Sequence, residues 1–343
     1  MSYLLIKEPV IVMHPLDMCY SHAFLDACFS TFWCIQDLIR EGKIKDRNVR
    51  IIISKYLIEK YPLQFRMRIN EFEKKYKGVW NQLINLLTPY PVIFDYLDTD
   101  KYIIDKLFVC NRNMELWKGQ TVFGKLSGIE NLSLSDHLNT SKYIINKLEI
   151  IDIQRCSIWN CSPAYENNEL ELHHSYLNEF RKHIFSKYNL CPISNSQRNV
   201  IIIDRTTDVK IQKNTWSLGL PEENRNIKPE ILNQLIEYFS NNPNYRFGGI
   251  FILEDKSLEE QAKLISENNV FIFRQGSCIA NLIFAPYDSL VIDLDWNGFS
   301  PERRHLTRRI CHLTNSEHAY LNYNKFDIKE IDMFLRSHFG VIS

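Results

Sequence analysis

No stretch of this chain approaches about 18 continuous apolar residues, so a membrane-spanning helix is not encoded. Net charge is missing as well: 41 basic side chains balance 41 acidic ones. A polyanion such as nucleic acid is therefore not an expected partner. Zinc spacing is absent. The nine cysteines are scattered, and the closest pair, Cys156 and Cys161, has no second pair to complete a ligand set. Buried, reduced thiols are the expectation. Met1 to Pro15 lacks the basic segment and long apolar run of a secretory signal. These absences point to a soluble, cytoplasmic protein. Neither Gly-x-Ser-x-Gly nor Gly-Lys-Ser/Thr occurs, which excludes the nucleophile elbow and the P-loop. There is no internal repeat and no low-complexity tract.

What is present is ample material for packed cores. Apolar residues make up 45% of the 343 and aromatics 13%. At roughly 100–200 residues per domain, the length fits two domains. Val10 to Met13 and Val49 to Ile53 read as strands. From Ser21, a plausible cap, Phe24, Ala27, Cys28, Thr31, Phe32, Ile35, Leu38 and Ile39 recur at helical spacing, and Gly42 ends the run. Pro91 to Phe94 and Ile103 to Cys110 look strand-like, and Leu172 to Tyr188 helical. Pro192 to Arg198 has the composition of a linker. Beyond it, Asn199 to Asp204 is apolar on consecutive residues, as in a parallel strand covered on both faces. Helix Pro229–Phe239, strand Phe247–Leu253, helix Ser257–Ser266, strand Val270–Phe273, helix Cys278–Phe284 and strand Leu290–Leu294 follow. Ser257 with Glu260 is a capping-box signal. Two further helices, Pro301–Leu313 and Ile328–Phe339, close the chain. The expected architecture is two α/β domains, 1–195 and 196–343. The alternating elements after Asn199 suggest a doubly wound parallel sheet, and a ligand would sit at the carboxyl ends of the strands.

The segment Asn269 to Asp293 carries the clearest chemistry. A buried strand ends at Phe273, and Gly276 permits a tight turn with close backbone approach. Ser277 fits as the cap of the next helix, whose free N–H groups and dipole favour phosphate oxygens. Arg274 adds a cation with a bidentate fork.

Around this turn, the chain resembles the glycosyltransferases of family 61. That group includes plant β-1,2-xylosyltransferase and eukaryotic O-linked N-acetylglucosaminyltransferases. Its pattern is an acidic residue, a "sfxeQ" helix start, an apolar strand, "HGAGLxN" and "lxFxPp". The matching residues are Glu254, Gln261, Gly276, Ala280, Asn281, Phe284 and Pro286. Upstream, Ile203-Asp-Arg205 is similar to the family's strand-end Arg, and Lys210 to Asn214 to its basic-then-Asn stretch. Tyr20-Ser-His22-Ala-Phe-Leu-Asp26 resembles its "HxxxD" helix start. The similarity covers residues 198–295 well and residues 1–190 thinly. Gln275 stands where the family has His, Ser277 and Cys278 replace Ala and Gly, and Lys210 replaces a second Arg.

The resemblance implies a GT-B-like architecture, with two Rossmann-type domains facing a cleft. It further implies inverting transfer from a UDP-sugar, UDP-xylose or UDP-N-acetylglucosamine, to a hydroxyl of a glycan or protein, with no obligatory metal. Arg205, Lys210, Glu254, Gln261, Arg274, Gln275, Gly276, Ser277 and Asn281 form the expected nucleotide-sugar site, with Glu254 on the ribose hydroxyls. His22 and Asp26, four apart on one helix face, are the expected catalytic pair. One alternative is a degenerate glycosyltransferase fold that only binds. Another is a metal-dependent GT-A enzyme using Asp98-Thr-Asp100 or Asp293-Leu-Asp295.

Overall fold

The fold is given by a computed structural model. It describes residues 3–13, 24–25, 28–53, 79–95, 98–112, 138–153, 167–193, 198–205, 226–253, 256–274, 277–295, 307–308 and 310–340. The chain divides into two compact units, Met1–Ile184 and Phe185–Ser343. Each is a mixed α/β unit with its own sheet, and every described strand pairing is parallel. Among the described residues no helix is long and apolar enough to cross a membrane.

The first unit holds a six-stranded sheet. Its strands are β1 (Leu4–Ile6), β2 (Val10–Met13), β3 (Arg50–Ile53), β4 (Ile93–Phe94), β5 (Tyr102–Arg112) and β6 (Tyr143–Ile153). Strand β5 is the organiser. It pairs with β6 from Tyr102 to Arg112. Its other edge takes β1 at Tyr102 and then β2 at Leu107. The strands β1 and β6 did not stand out in the sequence. In β6, Asn146, Lys147 and Glu149 interrupt the apolar run, which this edge strand tolerates because much of it is uncovered: Leu148 and Ile150 are themselves exposed.

Helix α1 (Phe29–Arg40) starts later than its periodicity predicts. Phe24, Leu25 and Cys28 lie instead in wider π-type turns. Gly42 ends α1 as expected. Its φ is 67°, its N–H donates to Ile39 O, and Lys43 N donates to Leu38 O, the double bond of a Schellman stop. Two further helices are α2 (Val79–Leu87) and α3 (Asn167–Tyr188). The contact between α1 and α3 is aromatic. Phe24, Phe29 and Phe32 surround Phe180 at 5.9, 5.6 and 4.9 Å between ring centroids, and Trp33 stacks on Tyr176 at 3.9 Å.

The second unit holds a five-stranded sheet in the order β11-β10-β9-β7-β8. The strands are β7 (Asn199–Asp204), β8 (Arg246–Ile252), β9 (Val270–Phe273), β10 (Leu290–Asp295) and β11 (Glu317–Asn322). The helices are α4 (Pro229–Ser240), α5 (Leu258–Ser266) and α6 (Ile328–Phe339). The uninterrupted apolar runs of β7 and β9 are explained by burial on both faces. Val200 and Ile202 pack with Leu235, Phe239, Ile331 and Leu335 of α4 and α6, while Ile201, Ile203, Phe271 and Phe273, pointing the other way, are equally buried. Because parallel crossovers are right-handed, reversing the direction of strand addition moves the connection to the opposite face. Hence α4 and α5 lie on different faces.

Two sequence expectations need correcting here. Glu317–Asn322 is a fifth strand, between what read as two consecutive closing helices. The expected helix Cys278–Phe284 is a 3-10 helix, Ser277–Phe284. A 3-10 helix rises about 2.0 Å per residue against about 1.5 Å for an α-helix. That longer rise lets a short segment return along the sheet from the end of β9 to the start of β10. Nearly every side chain from Ile279 to Ala285 is buried, so packing on all sides offsets the poorer hydrogen-bond geometry.

Candidate functional site

In the second sheet, chain direction along the strand order reverses between β7 and β9. From β7 the chain steps outward to β8, then returns past β7 to β9 and proceeds to β10 and β11. Such a reversal leaves a crevice at the carboxyl ends of the two strands, because the crossovers that follow them leave on opposite faces. Arg205 follows the last residue of β7 and Arg274 the last residue of β9. The two expected phosphate-binding arginines therefore flank this switch point.

Arg274 is 4% exposed. Its Nη1 donates to the Asn226 carbonyl at 2.7 Å, and its guanidinium carbon lies 3.9 Å from the centre of the Tyr323 ring. Burial lowers its pKa, while Tyr323, Asp204 and Asp293 oppose that and Arg205 adds to it. Arg205 is less buried as a residue, yet its Nη1 is sealed from solvent and meets no acceptor among the described residues. The side-chain Oδ1 of Asn226 is likewise buried without a partner. A buried guanidinium nitrogen with no acceptor is costly, and a bound anion is one way to satisfy it.

The rim is fixed by Asp204. Its Oδ1 accepts from the backbone N–H of Arg205 at 2.9 Å and of Ile227 at 3.1 Å. Burial raises its pKa, and those two N–H groups oppose the rise. Ile227 precedes Lys228, the N-cap of α4, which has Pro229 at its start. The Asp204 carboxylate thus ties the end of β7 to the start of the helix leaving the crevice.

Gln261 and Asn281, also expected at the ligand, are buried against each other. They are 5% and 1% exposed and bond to each other at 2.9 Å, while Gln261 Nε2 donates to Lys256 O at 2.9 Å. In this geometry they brace α5 against the 3-10 helix. Ser277, expected as the cap of a helix starting at Cys278, is the first residue of that 3-10 helix. In a 3-10 helix the first three N–H groups have no intrahelical acceptor. His22, Asp26, Lys210, Glu254, Gln275 and Gly276 lie outside the described residues.

The two Asp-x-Asp triplets have local structure of their own. Asp98 accepts from the backbone N–H of Asp100 at 2.8 Å and from the Tyr102 hydroxyl. Asp293 is 2% exposed within β10 and accepts from Thr307 at 3.4 Å. Among the described residues no group of three or more His, Cys, Asp or Glu side chains is arranged to hold a metal ion. Cys28, Cys34 and Cys311 are buried, and Cys191 is exposed.

Neither Tyr323 nor Asn226 stands out in the sequence. Asn226 contributes a carbonyl, which no side-chain pattern advertises. Tyr323 directly follows a strand that was not anticipated.

Compared with known protein families, residues 20–292 match the family described as Glycosyltransferase 61. The match spans 273 of the 343 residues. It runs from the N-terminal segment containing His22 into β10. No curated protein matches the chain.

Proposed function

The chain is a member of glycosyltransferase family 61, and from that premise we propose that it transfers a sugar from a UDP-sugar to a hydroxyl with inversion, holding the donor diphosphate at the switch point of the second sheet. The observation that carries this is the pair of strand-end arginines, Arg205 and Arg274, one of them with a buried nitrogen lacking an acceptor.

The chemistry matches the groups available. As the bond between the anomeric carbon and the UDP oxygen breaks, negative charge develops on the leaving diphosphate. Fixed cations and N–H donors stabilise that charge without reorganising. Arg205 and Arg274 supply the cations, and the Ser277 end of the 3-10 helix supplies the donors. Lys210, Gln275 and Gly276 complete the phosphate side, and Glu254 takes the ribose hydroxyls. Gln261 and Asn281 hold the turn from behind. The acceptor hydroxyl forms the new C–O bond on the face opposite UDP and gives its proton to a base. His22, oriented by Asp26, is our choice. A GT-B arrangement of the two units, a glycan or protein acceptor, UDP-xylose or UDP-N-acetylglucosamine as donor, no metal requirement and a cytoplasmic site of action belong to the same proposal.

A thermal-shift panel of UDP, UDP-xylose, UDP-N-acetylglucosamine and other nucleotide sugars, run with and without EDTA and followed by a transfer assay, tests it. A UDP-dependent rise in Tm with EDTA-resistant transfer is expected. Silence across the panel would sink the proposal. Tight nucleotide binding without turnover, unchanged in Gln275→His, would make the protein a binding module instead. Activity abolished by EDTA would point to a metal-dependent enzyme.

A further inference from the structure

Tyr323 is the first residue after β11, two strands away from β9. It lies outside the residues matched to the family, 20–292. Three contacts nonetheless converge on it. Its ring lies under the guanidinium of Arg274, 3.9 Å from ring centre to Cζ. Its hydroxyl donates to the Asn226 carbonyl at 3.2 Å, the same oxygen that accepts from Arg274 Nη1. The hydroxyl also accepts from the backbone N–H of Lys228 at 2.5 Å. Both Tyr323 and Arg274 are 4% exposed.

We infer that Tyr323 is a positioning residue for Arg274: its ring face fixes the plane of the guanidinium, and its hydroxyl fixes the carbonyl that holds Nη1. This rests on the diphosphate site proposed above. An arginine side chain has several rotatable bonds, and a cation held in advance stabilises an anion better than one that must be ordered on binding. A ring face is suited to this. It attracts the cation without consuming any N–H donor. The shared Asn226 carbonyl links the guanidinium to the start of α4, so the phosphate side of the site and the helix leaving β7 are set by one phenol.

The test compares UDP with uridine, which lacks both phosphates, on the full chain and its Tyr323→Phe, Tyr323→Leu and Arg274→Gln variants. Calorimetry serves for UDP and ligand-observed NMR for the weaker uridine. Tyr323→Leu removes ring and hydroxyl and is expected to weaken UDP about tenfold. Tyr323→Phe keeps the ring and is expected to weaken UDP about threefold. Uridine binding is expected to stay unchanged in both, and Tyr323→Leu is expected to add little in an Arg274→Gln background. If UDP and uridine weaken together, or neither weakens in either variant, the inference is overturned while the diphosphate site stands. If the unaltered protein binds no UDP, the site and the inference fall together. Should Tyr323→Leu not fold, the Tyr323→Phe comparison decides alone.

Discussion

The side-chain amide of Asn281 donates to the Oε1 of Gln261 across 2.9 Å, deep between α5 and the 3-10 helix that follows β9. Both residues were expected at the ligand. Their burial and mutual bond join α5 to the 3-10 helix. Gln261→Leu would leave the Asn281 amide without this acceptor and is expected to destabilise the protein by about 1–3 kcal/mol. Urea unfolding reads the loss. UDP affinity of the folded fraction is expected to stay within about twofold, the scatter of a non-contacting change; a selective collapse of UDP binding at full stability would place Gln261 at the ligand after all.

Arg205 carries the opposite expectation. Its buried Nη1 has no acceptor among the described residues, so removing the side chain does little harm to the folded protein. Arg205→Ala is expected to weaken UDP at least about tenfold with little change in Tm. Arg205→Lys is expected to recover only part, because an ammonium lacks the planar fork. Wild-type affinity in Arg205→Ala would remove this residue from the site.

His318 makes the stability sensitive to acid. Burial, with nearby Arg308 adding to it, lowers its pKa from 6.5 to about 4. Its Nε2 is sealed off without a partner among the described residues. Above about pH 6.5 the ring is neutral in both folded and unfolded chains and contributes nothing. Between pH 6.5 and 4 the unfolded chain takes up a proton that the folded one refuses, so stability falls as pH falls. The full shift amounts to about 3 kcal/mol. Urea midpoints at pH 7 and pH 5 are expected to differ less in His318→Gln than in the unaltered protein. Equal differences in the two would contradict this.

The capping box of α5 is complete. Glu260 N donates to Ser257 Oγ at 3.3 Å and Ser257 N donates to Glu260 Oε2 at 2.7 Å. Ser257→Ala is expected to lower stability by about 1 kcal/mol, measured by thermal or urea unfolding. A change near zero would mean that solvent replaces the cap without loss.

Much of the second unit was legible because its central strands are buried on both faces. Val200 to Ile203 and Val270 to Phe273 need only be apolar without interruption, and the strand ends followed directly. Arg274 was legible for the same reason, as the first polar residue after an apolar run, whereas Arg205, one residue beyond Asp204, stood out through the family resemblance. Strand β6 was not, since at the sheet edge Asn146, Lys147 and Glu149 are tolerated beside Ile145 and Leu148. Strand β11 hid its inward residues, Ala319 and Leu321, among polar neighbours, and Tyr323 was hidden with it. Its role arises from a fold that brings residues 274 and 323 together, and no local pattern encodes such a meeting. The 3-10 geometry of Ser277–Phe284 was also invisible, because the same apolar residues suit an α-helix.

The parallel registers have a consequence for how the chain is made. Among the described ladders, the paired residues closest in sequence are Val270 and Leu290, 20 positions apart. No described strand pair can form as a hairpin, so every ladder waits for a long loop to close. Folding is therefore expected to be slow, with apolar segments such as Val270–Phe273 exposed to self-association in the meantime. Slower synthesis and lower temperature should raise the recovered fraction of folded chains while leaving the properties of each folded molecule unchanged.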